Sequence, residues 1–247
     1  MEPSEYQLTS EVQDSHWIWR GRRQILQTLI EKYLNLEKKL LIADVGCGFG
    51  CNIPYLRAYG DVIGLEPNDL ALELIHKKWG KSVKVLKWVS PEPLPYRFDL
   101  VLMAEVLEHI PDDAGAINWI HEHLKEGGYA LVTVPAHRLL WTQMDDITHH
   151  QRRYGRGELF TRFAAGFDVV WFSYYNFFLF PAKLGFVFFD RFNRLFFSGS
   201  PKRSYNEQPP FLVNKCFEYL VYLEAGLMKY NVAFPFGPSM VMMARKK

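Results

Sequence analysis

Short apolar runs alternate with amphipathic stretches from about residue 39 to residue 134. Leu40-Leu41-Ile42-Ala43 and residues 61–66, 83–86, 98–103 and 129–134 are predicted strands. Their apolar residues are continuous rather than alternating, as in strands buried on both faces. Asn68 suits the start of a helix over residues 70–79, and Asp112 or Asp113 that of a helix ending near Lys125, where Gly127-Gly128 supplies a stop. Strands alternating with helices predict a parallel, doubly wound α/β sheet, whose ligands bind at the carboxyl ends of the strands near the switch point. Residues 167–172 and 240–244 predict a sixth and a last strand. Between them lies an aromatic-rich, helix-forming insertion over about 176–230, interrupted at 198–210 by a linker rich in Ser, Pro, Lys and Arg.

Composition narrows the class without naming a function. The 247 residues are 49% apolar and 23% charged, which is globular. A net charge of +2 does not point to nucleic acid. The three cysteines, Cys47, Cys51 and Cys216, are too few for a disulfide framework and fit a reducing compartment. The polar, acidic start Met1-Glu2-Pro3-Ser4-Glu5 is unlike a signal peptide. Residues 167–189 are apolar but broken by Asp168, Ser173, Asn176, Pro181 and Lys183, whereas a membrane span takes about 20 predominantly apolar residues. The expectation is a cytoplasmic protein. Core packing is the default for the aromatic run 174–197. Its neighbours Arg191, Arg194, Lys202 and Arg203 open a sharper alternative, contact with the inner face of a membrane or with a lipid-like acceptor.

The chemistry concentrates first on Asp44-Val45-Gly46-Cys47-Gly48-Phe49-Gly50, between a strand and a helix. Glycines there permit a tight turn and let a ligand approach the backbone. The G-x-G-x-G spacing lacks the x-x-G/A ending of a dinucleotide fingerprint. Asp44 would repel a pyrophosphate but suits a ligand with an ammonium group. Glu66, at the end of the second strand, can accept hydrogen bonds from both hydroxyls of a ribose.

The string around these residues resembles the class I S-adenosylmethionine-dependent methyltransferases, more narrowly their type 11/type 12 small-molecule branch. Residues 41–50 resemble the first motif of that family, and Val62-Ile63-Gly64-Leu65-Glu66-Pro67 its ribose-binding acid motif. Pro93-Leu94-Pro95-Tyr96, Phe98-Asp99-Leu100-Val101 and Ala104-Glu105-Val106-Leu107-Glu108-His109-Ile110 resemble the string that follows. The resemblance implies a Rossmann-like, seven-stranded sheet with the last strand antiparallel. It also implies S-adenosylmethionine as cofactor and S-adenosylhomocysteine as product; from the residues themselves no metal is expected. By the resemblance Asp44, Gly46 and Gly48 border the methionyl part, Glu66 holds the ribose, Pro67 borders the adenine and Glu105 lies beside the cofactor. Ser90 stands where the family often has an adenine-binding Asp, which leaves adenine to backbone groups. His109 is expected to pack or to cap a helix.

Ser15-His16-Trp17-Ile18-Trp19-Arg20-Gly21-Arg22-Arg23 resembles an element preceding the fold in one subgroup. It places Trp17 and Trp19 over the cofactor and Arg20 or Arg22 on its carboxylate, the alternative being a docking helix with solvated arginines. Residues 135–154 leave the end of the fifth strand and should overhang the crevice. They resemble an L-W-S-x-x-D-x-x-x-G-H-x-R-R-Y segment of the same subgroup, with His149 in place of the glycine. Asp145, His150, Arg152, Arg153 and Tyr154 match it. His150 is the candidate base for a hydroxyl acceptor, oriented by Asp145. Arg152, Arg153 and Tyr154 are candidates for the acceptor, a carboxylate, phosphate or diphosphate suiting the arginines; the alternative is a structural network. His149 and His150, adjacent and pointing apart, do not make a metal pair.

The resulting expectation is an enzyme of one domain: an N-terminal helical cap over 1–37, a cofactor-binding core over 38–173, a helical lid over 174–235 and a final strand over 236–247. Its reaction is methylation of oxygen on a small or lipid- or glycan-linked acceptor. A non-catalytic nucleoside-binding regulator of the same fold and a nicotinamide-dependent oxidoreductase are the alternatives, the second disfavoured by Asp44 and the glycine spacing.

Overall fold

A computed structural model describes residues 9–196 and 208–247. Residues 1–8 and most of the polar linker expected over 198–210 lie outside the described residues, as do Lys202, Arg203 and the side chain of Arg194. The strands are β1 (Leu40–Val45), β2 (Gly60–Glu66), β3 (Lys84–Lys87), β4 (Phe98–Ala104), β5 (Leu124–Pro135), β6 (Phe167–Tyr175) and β7 (Ser239–Lys246). The helices are α1 (Trp17–Tyr33), α2 (Ile53–Leu56), α3 (Asp69–Trp79), α4 (Asp113–His123), α5 (Gln143–Ile147), α6 (Arg156–Phe163), α7 (Phe180–Phe196) and α8 (Phe211–Lys229).

The strands form one seven-stranded sheet in the order β3-β2-β1-β4-β5-β7-β6. β7 is antiparallel to both β5 and β6, and the other pairings are parallel. This is the expected Rossmann-like α/β sheet, with a helical insertion (α7 and α8) before the final strand. β1 and β4 carry almost wholly buried side chains, as their unbroken apolar runs foretell. The chain order reverses between β1 and β4, so their carboxyl ends open a crevice at the switch point. Val45 pairs with Met103, which sets the glycine loop beside Glu105.

Asn68 caps α3, its Oδ1 accepting from Ala71 N at 3.0 Å, and Asp112 caps α4 through Gly115 N at 2.9 Å. The glycine pair after α4 departs from expectation. The helix already ends at His123, and β5 begins at Leu124. Gly127, with φ +70°, lies within β5, where the register against β4 shifts between Phe98 and Leu100. It makes a bulge in the strand rather than a helix stop, because Leu124 pairs with Phe98 before the glycines are reached.

Helices α1 and α8 run side by side in the same direction. Asn214 Oδ1 accepts from Trp17 N at 2.9 Å, the Trp17 ring meets Phe217 edge-on at 5.3 Å, and Arg20 Nε stands 2.6 Å from Glu218 Oε1. Near their far ends Lys32 Nζ donates to Met228 O at 2.9 Å. On α7, Phe188, Phe189, Phe192, Leu195 and Phe196 are exposed. Among the described residues, no helix is long and apolar enough to cross a membrane.

Candidate functional site

A cavity of about 650 Å³ opens at the switch point, within the range of small-molecule sites. The sheet order brings the glycine loop, Glu66, Pro67, Trp88 and Ser90 to it from the ends of β1, β2 and β3, and His109, Met144 and Thr148 to Gln151 from the side of β4 and β5. Ile18, Trp19 and Arg22 border it from α1, and Glu105 and Val106 from the end of β4.

Gly46 and Gly48 take φ of +61° and +55°. A Cβ on Gly46 would stand 2.6 Å from Val106 Cγ2, whereas one on Gly48 would meet nothing within 4 Å. The first glycine allows close packing; the second leaves room against the backbone for a ligand. Glu66 lines the cavity while accepting from Gly48 N at 2.9 Å and Asn68 N at 3.0 Å. Burial raises its carboxyl above the usual range against the pull of those two N–H groups. Ser90 Oγ is buried and has no hydrogen-bond partner among the described residues.

Asp44 lies beneath the loop, fully buried. Its Oδ1 accepts from Asn52 Nδ2 at 3.2 Å, and its Oδ2 has no partner among the described residues. Burial pushes this carboxyl up to about 7, against the Asn52 hydrogen bond and the Arg22 charge. The folded chain therefore holds a proton there that the unfolded chain gives up near pH 4. Stability contributed by that proton is present at low pH and is lost as pH rises toward and through 7. Asp44→Asn is expected to flatten the fall in melting temperature of the unliganded chain over about pH 4–7. Equal slopes for the two proteins in thermal unfolding would contradict this origin.

On the side of β4 and β5, Asp145 and His150 come together as expected. His150 Nδ1 lies 2.8 Å from Asp145 Oδ1, and Arg153 reaches the same carboxylate with Nε at 2.7 Å and Nη2 at 3.1 Å. Thr142 N donates to Asp145 Oδ2 at 2.8 Å, so the carboxylate also caps the start of α5. Burial alone would raise this carboxyl, but the hydrogen bond from His150 and the Arg153 guanidinium outweigh it and hold it ionised. An ionised Asp145 can only accept, so Nδ1 carries the hydrogen and Nε2 is left as the basic nitrogen. His149 takes φ +58°, the left-handed backbone that the glycine of the resembled segment would adopt freely.

His150 shares its corner with Glu108 and His109. Its Nε2 is 3.9 Å from Glu108 Oε1, and its ring meets His109 edge-on at 4.7 Å. Glu108 is fully buried, and neither carboxylate oxygen has a hydrogen-bond partner among the described residues. Burial, helped by the nearby Glu105, keeps its carboxyl well above the usual range. Burial likewise pushes His109 down to about 3, leaving its ring neutral. His109, expected to pack or to cap a helix, lines the cavity.

Several expected site residues face elsewhere. Trp17 and Arg20 contact α8, not the cavity, because a helix turns about 100° per residue and brings Ile18, Trp19 and Arg22 to the opposite side. Arg152 donates to Ile110 O at 2.9 Å and Pro111 O at 2.8 Å and pairs with Asp113 at 3.0 Å. Arg153 is taken up by Asp145 and by Ala136 O at 3.1 Å. Tyr154 is a core residue whose hydroxyl donates to Asp113 Oδ2 at 2.9 Å. These three build a structural network and do not line the cavity, since their polar groups are already spent on the loop that carries His150. Among the described residues, none of α7 or α8 borders the cavity.

Residues 18–170, more than half of the chain, match the model of a family described as a methyltransferase domain. The chain belongs to the class I S-adenosylmethionine-dependent methyltransferases. A ubiquinone biosynthesis O-methyltransferase of Bradyrhizobium sp. (strain ORS 278) is 32% identical over 108 residues, 41% of this chain and 42% of that protein. A tRNA U34 carboxymethyltransferase of Aliarcobacter butzleri is 30% identical over 128 residues, 48% of this chain and 40% of that protein. The matched part thus spans less than half of these curated relatives. Among solved structures, the N-methyltransferase NodS from Bradyrhizobium japonicum WM9, in complex with S-adenosyl-l-homocysteine, superposes with a TM-score of 0.51 at 16% identity, over 64% of this chain and 80% of that one. A chain from the complex of the Haloferax volcanii Trm112 methyltransferase activator with a methyltransferase gives 0.60 at 15% identity, over 98% and 94%. At such identities these structures show the fold alone. The methyltransferase's cofactor class agrees with what lines the cavity: an acid at the end of β2, an open glycine turn, and a buried Ser90 Oγ without a hydrogen-bond partner among the described residues. Asp44 does not itself line it but lies buried just before the loop, its Oδ2 likewise without a partner among those residues.

Proposed function

We propose that the chain transfers the methyl group of S-adenosylmethionine to an oxygen of a small or lipid- or glycan-linked acceptor held at the His150 end of the cavity. The observation that carries this reading is that Nε2 of an Asp145-held histidine and the glycine loop of β1 share one cavity. When bound, the cofactor supplies a methyl group on a cationic sulfonium, already activated toward a nucleophile. Glu66 would hold its ribose, Ser90 and Pro67 its adenine, and Asp44 with the Gly46–Gly48 turn its amino-acid part. Arg22, rather than Arg20, would meet its carboxylate.

The protein's own task is then alignment and proton removal. Holding both reactants in one cavity removes much of the entropic barrier of a bimolecular displacement. His150 Nε2 accepts the acceptor's proton while Asp145 keeps the ring oriented and steadies the charge that forms. The ubiquinone biosynthesis relatives, named as O-methyltransferases, support oxygen as the methylated atom. The exposed phenylalanines of α7, placed outside the cavity, support a protein that works at a membrane surface.

Calorimetry with S-adenosylhomocysteine and with NAD tests the core of the proposal. Binding of the first and not the second is expected. Glu66→Ala should weaken it by about 10–100-fold, the worth of hydrogen bonds to a charged group. No binding of S-adenosylhomocysteine at millimolar concentration would sink the reading.

A further inference from the structure

The corner formed by Glu108, His109 and His150 holds more than a base. One ligand-type atom from each residue lies within 4.8 Å of the others. Four-coordinate ligands at about 2.1 Å from a cation stand about 3.4 Å apart, so small side-chain rotations would close this set. Each histidine is already oriented from behind. His150 is held through Nδ1 by Asp145, and one ring nitrogen of His109 is held by the backbone of His149. A carboxylate or carbonyl behind the imidazole is the usual outer support of a metal-binding histidine. A separate observation points into the same space: the Glu108 carboxyl is fully buried, with neither oxygen hydrogen-bonded among the described residues. A buried carboxyl without a partner is costly unless it keeps a proton or gains a cation. His109 and His150 both line the cavity, which gives an entry path and leaves a coordination position open toward it.

We propose that Glu108, His109 and His150 form a binding site for a divalent transition cation, of the zinc or cobalt type that two imidazoles and one carboxylate favour. Nothing in the family resemblance indicates a metal here; the inference rests on the geometry. It builds on the proposed function in one respect. A cation on His150 Nε2 takes that atom out of proton removal, so the metal-free and metal-loaded protein are two different states of one corner.

The test uses the metal-stripped full chain, titrated with Co²⁺ by absorption spectroscopy and with Zn²⁺ by calorimetry. One equivalent with a d–d spectrum of low coordination number is expected. Glu108→Gln, His109→Asn and His150→Asn should each weaken it by more than about 100-fold, the upper end of what losing an outer-shell partner costs. His149→Ala, which removes the neighbouring imidazole, should leave it unchanged. Binding of S-adenosylhomocysteine by each variant shows that it is folded. No stoichiometric cobalt binding, or binding that survives Glu108→Gln and His109→Asn in folded protein, overturns the proposal. If the chain binds S-adenosylhomocysteine but no cobalt, this inference alone falls. If it binds cobalt but no S-adenosylhomocysteine, the proposed methyl transfer alone falls.

Discussion

His150→Asn is expected to lower kcat by about 10²–10⁴-fold while leaving the affinity for S-adenosylhomocysteine unchanged, since a positioned base contributes roughly that factor to a step that moves a proton. The split follows from where the residue stands. His150 comes to the cavity from the side of β4 and β5, Glu66 and Ser90 from the ends of β2 and β3, and its polar contacts run to Asp145 and Glu108. The measurement is conversion of S-adenosylmethionine to S-adenosylhomocysteine with a hydroxylated aromatic as probe acceptor, beside calorimetry on the same preparations. A kcat within threefold of the parent would remove His150 from the mechanism. A loss of S-adenosylhomocysteine binding instead would make it part of the cofactor site.

The largest loss of stability should come from Arg153→Ala. Asp145 and Arg153 are 1% and 7% exposed at their side chains, and the guanidinium meets both carboxylate oxygens. Removing one partner of such a buried pair leaves the other charge without compensation and costs about 3–5 kcal/mol. For a chain of this size that corresponds to a fall in melting temperature of about 6–20 °C. The exposed pair Lys39–Asp61, 69% and 67% exposed, is the contrast: Lys39→Ala should cost less than about 1 kcal/mol. Similar shifts in thermal unfolding for the two variants would mean that the Asp145 network is no more than a surface ion pair. Catalysis should suffer too, since Arg153 holds the carboxylate that holds His150.

The sheet was legible because buried parallel strands write themselves as unbroken apolar runs, and β1, β2 and β4 begin and end within a residue or two of those runs. Asn68 and Asp112 were legible as caps because a short acceptor before an apolar-periodic stretch has few other uses. The placing of the glycine turn and of Glu66 on one cavity could be read from sequence, since a backbone turn and a strand-end acid take positions that follow from the strands. The acceptor end could not. Asp145, His150, Arg152, Arg153 and Tyr154 are close in sequence, but their side chains split into two groups: His150 and Arg153 meet Asp145, while Arg152 and Tyr154 turn away to Asp113. Whether an arginine meets a ligand or a carbonyl depends on Ile110, Pro111 and Asp113, some 40 residues away. Glu108 and His109 were present in the quoted string, yet the string carries no sign that His150 folds back onto them. On α1 the misplacement of Trp17 and Arg20 was avoidable in part: helical phase pairs Trp19 with Arg22 and sets Trp17 with Arg20 on the other face. Which face meets the cavity is decided by α8, which only tertiary structure reveals.

The pairing of α1 with α8 makes one lever of two distant parts of the chain. Trp19 and Arg22 overhang the cavity from the helix whose other side is bolted along α8 by Trp17, Arg20 and Lys32. α8 and α7 belong to the same insertion, and α7 carries the apolar outer face. The position of the cavity's roof is thus set by packing against α8, a helix that does not itself border the cavity.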